Sequence, residues 1–148
     1  MIAKLLLEAT LDTLYMTFVS TFLAFIIGLG LAIILVITNK NGLKPNKAIY
    51  NALDIIVNTL RSFPFIILII VLFPFTKFIV GTSIGTTAAI VPHTIGSAPF
   101  IARLIENAMN EVDHGIIEAA LSYGATKTQI IFKVIFIEAL PSIINAIT

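Results

Sequence analysis

The stretch LYMTFVSTFLAFIIGLGLAIILVI, residues 14–37, contains no charged side chain. A helix needs roughly 20 apolar residues to cross a bilayer, so this run is long enough to span. It is too long for the apolar core of a secretory signal, and Glu8 and Asp12 precede it where a signal carries positive charge. Within the run Ser20, Ala24, Gly28 and Ala32 recur every fourth residue on one helix face. Small residues at that spacing let a second helix approach closely.

Composition agrees with this reading. The chain has 148 residues, 58% hydrophobic and 11% charged, against about 25% charged in soluble domains. A net charge of +1 gives no bulk attraction to nucleic acid. The absence of cysteine excludes a disulfide framework. Eleven Phe and no Trp fit a lipid-facing protein without the usual Trp anchors.

A polar turn at 38–47 holds Asn41-Gly42 and Lys44-Pro45 as breakers. Residues 48–60 form an amphipathic approach, with Asp54, Asn58 and Arg61 on or near its polar side. A second span is expected over 62–80, punctuated by Pro64 and Pro74, and a third over 84–104. The third carries Pro92, His93, Thr94, Gly96, Ser97 and Pro99, too many polar and helix-breaking residues for a lipid-facing helix. Irregular backbone at membrane depth is tolerated where protein or a water-filled cavity surrounds it. Pro92, His93, Thr94 and Ser97 are therefore the candidates for lining a translocation path, with a kinked packing helix as the alternative. A fourth apolar segment, 134–148, is too short to cross unless it continues.

With these loops, Lys40, Lys44, Lys47, Arg61, Arg103, Lys127 and Lys133 fall on one side, and Lys4 and Lys77 on the other. The first side reads as cytoplasmic, with the N-terminus outside. The polar segment 106–133 is then cytoplasmic. Asp113 is placed to N-cap a short helix, and Gly124 to end it in a left-handed conformation. Thr126-Lys127-Thr128-Gln129 matches a capping box that starts the next helix. Ile116, Ile117, Ala120 and Leu121 make one apolar face, which can dock on a soluble partner or lie against the chain's own bundle. His93 and His114 lie on different segments without Cys, so no metal site is expected. Arg103 and Glu106 have helical pairing distance, or stand independently at the membrane boundary.

Glu118-Ala119-Ala120 followed by Gly124 resembles the EAA loop of ABC-importer permeases. The resemblance extends further. Arg61-Ser62-Phe63-Pro64-Phe65-Ile66-Ile67-Leu68, Pro74-Phe75-Thr76, Ile79-Val80-Gly81-Thr82-Ser83-Ile84-Gly85 and Ala98-Pro99-Phe100-Ile101-Ala102-Arg103 are similar to methionine-importer permeases. So are Glu106-Asn107-Ala108, Ile117-Glu118-Ala119 and Glu138-Ala139-Leu140-Pro141. The similarity runs over nearly the whole chain in one register.

The resemblance implies an all-α polytopic membrane protein of the type I ABC-importer permease fold, with about three complete spans and the start of a fourth. It implies one permease domain over 1–148, incomplete at its C-terminus, with 106–133 as its EAA coupling loop. Glu118, Ala119, Ala120 and Gly124 would couple it to a pair of ATPase subunits. The permease would be a homodimer in a bacterial inner membrane. An external binding protein, often a lipoprotein, would deliver D- or L-methionine. The sequence holds no Gly-rich phosphate loop, so ATP and Mg would belong to the partner. Ile137 stands where many EAA loops carry a proline, which bears on how the next span begins. Another amino acid as substrate, a remnant that inserts without function, and an intramembrane hydrolase are the competing readings. The last lacks any clustered catalytic pair.

Overall fold

The computed structural model describes residues 2–147. Helix α1, Ile2–Thr38, has 37 residues and is about 55 Å long, nearly twice the hydrocarbon core of a bilayer. It begins well before the uncharged run. Leu5, Leu6, Leu7 and Ala9 are strong helix formers and carry the helix through Glu8 and Asp12. Lys4 and Glu8 lie 3.9 Å apart on its exposed N-terminal part.

Ser20, Ala24, Gly28 and Ala32 are all buried. Their stripe is seated on α4, Thr86–Asn110. A Cβ built at Gly28 would stand 2.9 Å from both the Ala98 carbonyl oxygen and Ile101 Cγ2. Thr94 Oγ1 donates to the Ser20 carbonyl at 3.4 Å. This α1–α4 seam anchors a core that continues through Ile105, Met109, Ile130, Ile131 and Ile135.

Past α1 the chain folds back on itself. Lys44 N–H donates to Ile37 O at 3.0 Å and Asn46 N–H to Thr38 O at 2.9 Å. These bonds satisfy carbonyls that a helix end leaves open. Asn46 Oδ1 then accepts from the Ala48 and Ile49 amides, both at 3.1 Å, and caps α2, Lys47–Ser62.

Pro64 disfavours helical geometry in the residue before it, and α2 stops at Ser62. Helix α3, Phe65–Val80, departs at 113° to α2. This corrects the expectation of a span over 62–80. With 16 residues, α3 is about 24 Å long, short of the bilayer core. By length and composition, α2 and α3 reach the size of a span only when taken together across the corner. Gly81, at φ 85, closes α3. Helix α4 begins at Thr86 and passes without a break through Pro92 and Pro99, both buried against neighbours. Membrane helices keep such prolines where adjacent structure compensates the freed carbonyls.

After α4 come α5, His114–Ser122, and α6, Lys127–Gln129. A π-helical segment, Ile130–Ile135, and α7, Phe136–Ile147, follow without interruption. Lys127–Ile147 is a 21-residue run long and apolar enough to cross. The segment expected to be too short from 134 therefore starts one to two turns earlier, with Lys127 and Lys133 inside the helix. Ile137 and Pro141 both lie within α7, so the absent proline at 137 does not mark a helix start. Among the described residues, α1, α4 and Lys127–Ile147 each suffice to span, and the bent pair makes up to four. Thr148 lies outside the described residues.

Candidate coupling site

The chain turns between α5 and α6 on a few residues whose backbone N–H groups all find acceptors. Asp113 caps α5, its Oδ1 accepting the Gly115 amide at 2.7 Å. At the other end Gly124 N–H donates to Leu121 O at 2.9 Å and Ala125 N–H to Ala120 O at 3.0 Å. These are the two bonds of a Schellman ending, which requires a left-handed residue. Gly124 supplies it at φ 82. Thr126 starts the next helix at once. Its amide donates to Gln129 Oε1 at 2.8 Å, and the Gln129 amide donates to Thr126 Oγ1 at 3.4 Å, a closed capping box.

The four coupling candidates are displayed unequally. Glu118, Ala119 and Gly124 are exposed, whereas Ala120 is half-buried. The apolar face of α5 is divided in the same way. Ile117 and Ala120 pack on the chain's own core, while Ile116 and Leu121 remain 40% and 45% exposed. Tyr123 stands out at the tip, 92% exposed. So one edge of α5 anchors the elbow and the other is free for a partner. Beneath it lies a cavity of about 260 Å³, walled by the end of α1, the 39–43 turn, His114, Ile117 and Ile131.

The candidates on α4 do not share a surface. Thr94 is buried against α1, Pro92 is buried on a different face of α4, and Ser97 is exposed. His93 is half-buried; its ring meets Phe65 edge-on at 5.0 Å, and its Nδ1 lies 2.7 Å from the Ala89 carbonyl oxygen.

A second polar constellation was only half legible in the sequence. Arg103 Nη1 donates to Glu106 Oε2 at 2.7 Å. Arg103 Nη2 donates to Asp54 and, at 3.0 Å, to Asn58 Oδ1. Tyr50 Oη donates to Glu106 Oε1 at 3.2 Å. Further along, the Arg61 guanidinium lies 5.9 Å from the centre of the Phe100 ring. Tyr50 thus meets Glu106, Asp54 and Asn58 meet Arg103, and Arg61 meets Phe100, so α2 runs antiparallel along α4. Asp54 and Tyr50 turn toward α4 while Ile49, Ile55 and Ile56 face out. Ionisable side chains of membrane bundles face inward in this way. Glu106 is 2% exposed and belongs to α4, not to a cytoplasmic loop. Arg103, counted above among loop charges, is likewise a helix residue held in ion pairs. The signal available in the sequence was Asp54 and Asn58, one turn apart on an amphipathic helix.

A family model described as binding-protein-dependent transport system inner membrane component matches residues 24–148. The chain belongs to this family. Individual relatives are named as permeases. The chain is 51% identical over 144 residues to the D-methionine transport system permease protein MetI of Escherichia coli (strain K12), covering 97% of this chain and 66% of that protein. It is 54% identical over 146 residues to the probable D-methionine transport system permease protein MetI of Vibrio cholerae serotype O1, covering 99% and 65%. The chain thus spans just under two thirds of the length of these curated relatives. An inward-facing conformation of the MetNI methionine ABC transporter, in its native crystal form, matches with a TM-score of 0.94 at 50% identity, over 98% of this chain and 67% of that one. A crystal structure of an amino acid ABC transporter with histidines matches with a TM-score of 0.69 at 22% identity, over 97% of this chain and 67% of that one; it shares the fold. The chain is accordingly a multi-pass inner-membrane component, all-helical among the described residues.

Proposed function

We propose that this chain is the membrane subunit of an ATP-driven importer for methionine, in its D or L form. The observation that carries the reading is the match to the methionine transporter structure at 50% identity over 98% of the chain. The elbow supports it, because a capped helix with one anchored and one free edge suits docking on a soluble partner. In this reading the partner is a pair of ATPase subunits that bind and hydrolyse ATP with Mg. They grip Glu118, Ala119, Ala120 and Gly124. The permease works as a homodimer, and an external binding protein delivers the amino acid. The N-terminus is outside and the elbow cytoplasmic. Ser97 and His93 are the α4 residues that the reading leaves for the path, since Pro92 and Thr94 are both buried. ATP binding favours one of two permease states, and the differential affinity of the partners sets how far the population moves.

Reconstitution tests this. The permease, its ATPase and the binding protein in proteoliposomes should take up labelled methionine only with ATP. Competition by unlabelled amino acids reads the substrate. No ATP-dependent uptake, or preference for a different amino acid, would overturn the assignment.

A further inference from the structure

Arg103 lies about two turns before the end of α4, and only residues 111–113 separate α4 from α5. α5 packs on the segment 130–135 and is tied to α4 by this short link, so a displacement of α5 reaches α4 directly along the chain. The α4 side of the polar clamp is internally fixed, because Glu106 is buried and holds Arg103 Nη1 at 2.7 Å. The α2 side consists of Asp54, Asn58 and Tyr50, spread over two turns of that helix. A guanidinium binds such a set through a planar, rigid fork. Parting the two helices would take Asp54 from the guanidinium and the Tyr50 hydroxyl from the buried Glu106 carboxylate, which is unfavourable. Among the described residues, no side-chain hydrogen bond or ion pair ties α2 to α3 across their 113° corner.

We propose that Arg103 is a positioning residue for transport: by holding Asp54 and Asn58 it locks α2 to α4. Motion received at α5 then swings α2 together with α4, and the corner at 62–65 takes up the difference. The inference rests on the importer reading for its role, while the lock itself can be measured apart from transport.

Arg103 Nη2 reaches both Asp54 and Asn58, so the carboxylate can be moved by one turn. The test compares the native complex with Asp54→Asn and with the relocation pair Asp54→Asn/Asn58→Asp. The chain has no cysteine, so spin labels can be placed only at the exposed positions Asn51→Cys and Asn107→Cys. Native complex should give one narrow α2–α4 distance with and without ATP. Asp54→Asn should broaden it and lower methionine moved per ATP hydrolysed about tenfold. The relocation pair should restore both. An unchanged narrow distance in Asp54→Asn, or no recovery in the relocation pair, would overturn the lock. Absence of methionine uptake by the native complex would sink the importer reading instead, and the spin-label distances would still decide the lock.

Discussion

Gly28 of α1 lies so close to Ala98 of α4 that a Cβ at position 28 would stand 2.9 Å from the Ala98 carbonyl oxygen. The atom in the way is backbone, which cannot rotate aside. Gly30, two residues on, has nothing within 4 Å of the same construction. Gly28→Ala should destabilise the fold by about 1–3 kcal/mol through overpacking. Gly30→Ala should be neutral or gain up to about 1 kcal/mol from helix propensity. Thermal unfolding in detergent checks the pair; equal midpoints would mean that α1 is not seated on α4.

Gly124 has open space around it and φ 82, so only its backbone conformation is at stake. Gly124→Asn should be tolerated best. Gly124→Ala should cost about 1–2 kcal/mol for the left-handed conformation, and Gly124→Val more. Membrane insertion should persist throughout, while ATPase capture and methionine uptake fall in that order. A flat series would show that the elbow does not depend on its glycine.

The capping box at Thr126 makes a local prediction. Thr126→Ala should remove about 1 kcal/mol from the start of α6, whereas Thr126→Ser keeps the accepting oxygen. Faster hydrogen exchange at the Gln129 amide in the alanine variant alone is the expected signature.

The clamp should respond in a graded way. Tyr50→Phe removes one hydrogen bond to the buried Glu106 carboxylate, expected to cost about 1–2 kcal/mol. Arg103→Ala strips that carboxylate of its ion pair and should cost about 3–5 kcal/mol. Adding Glu106→Gln to Arg103→Ala should recover part of the loss, because the stranded charge is gone. Thermal midpoints of the three variants read the order.

What the sequence made legible was local. The Asp113 cap, the positive φ at Gly124 and the Thr126–Gln129 box are each decided within a few residues, and the structure has all three. The stripe at Ser20, Ala24, Gly28 and Ala32 could be seen as a face, but not that α4 covers it. Three features were out of reach for the same reason. The tie between Asp54 and Arg103 joins residues 49 apart, and no periodicity announces it. The 113° corner depends on where α3 finds its packing against Gly96, where an added Cβ would come within 2.9 Å of the Phe65 ring. Pro92 and Pro99 are breakers by type, yet burial keeps them inside one continuous helix. At the site, Ala120 is partly turned inward because α5 must also hold itself to the core, a demand that motif spacing does not express.

The π-helical segment Ile130–Ile135 winds one more residue into its hydrogen-bonded ring than an α-helix does. It lets Ile130, Ile131 and Ile135 all point inward. A gene encoding this helix could therefore lose one codon between 130 and 135 and still present both flanks correctly, the elbow at one end and α7 to the bundle at the other. One codon lost anywhere else in Lys127–Ile147 would rotate the two ends against each other. The segment is the slack in the reading frame of an otherwise rigid rod, the place where descendants of this chain can differ in length without coming apart.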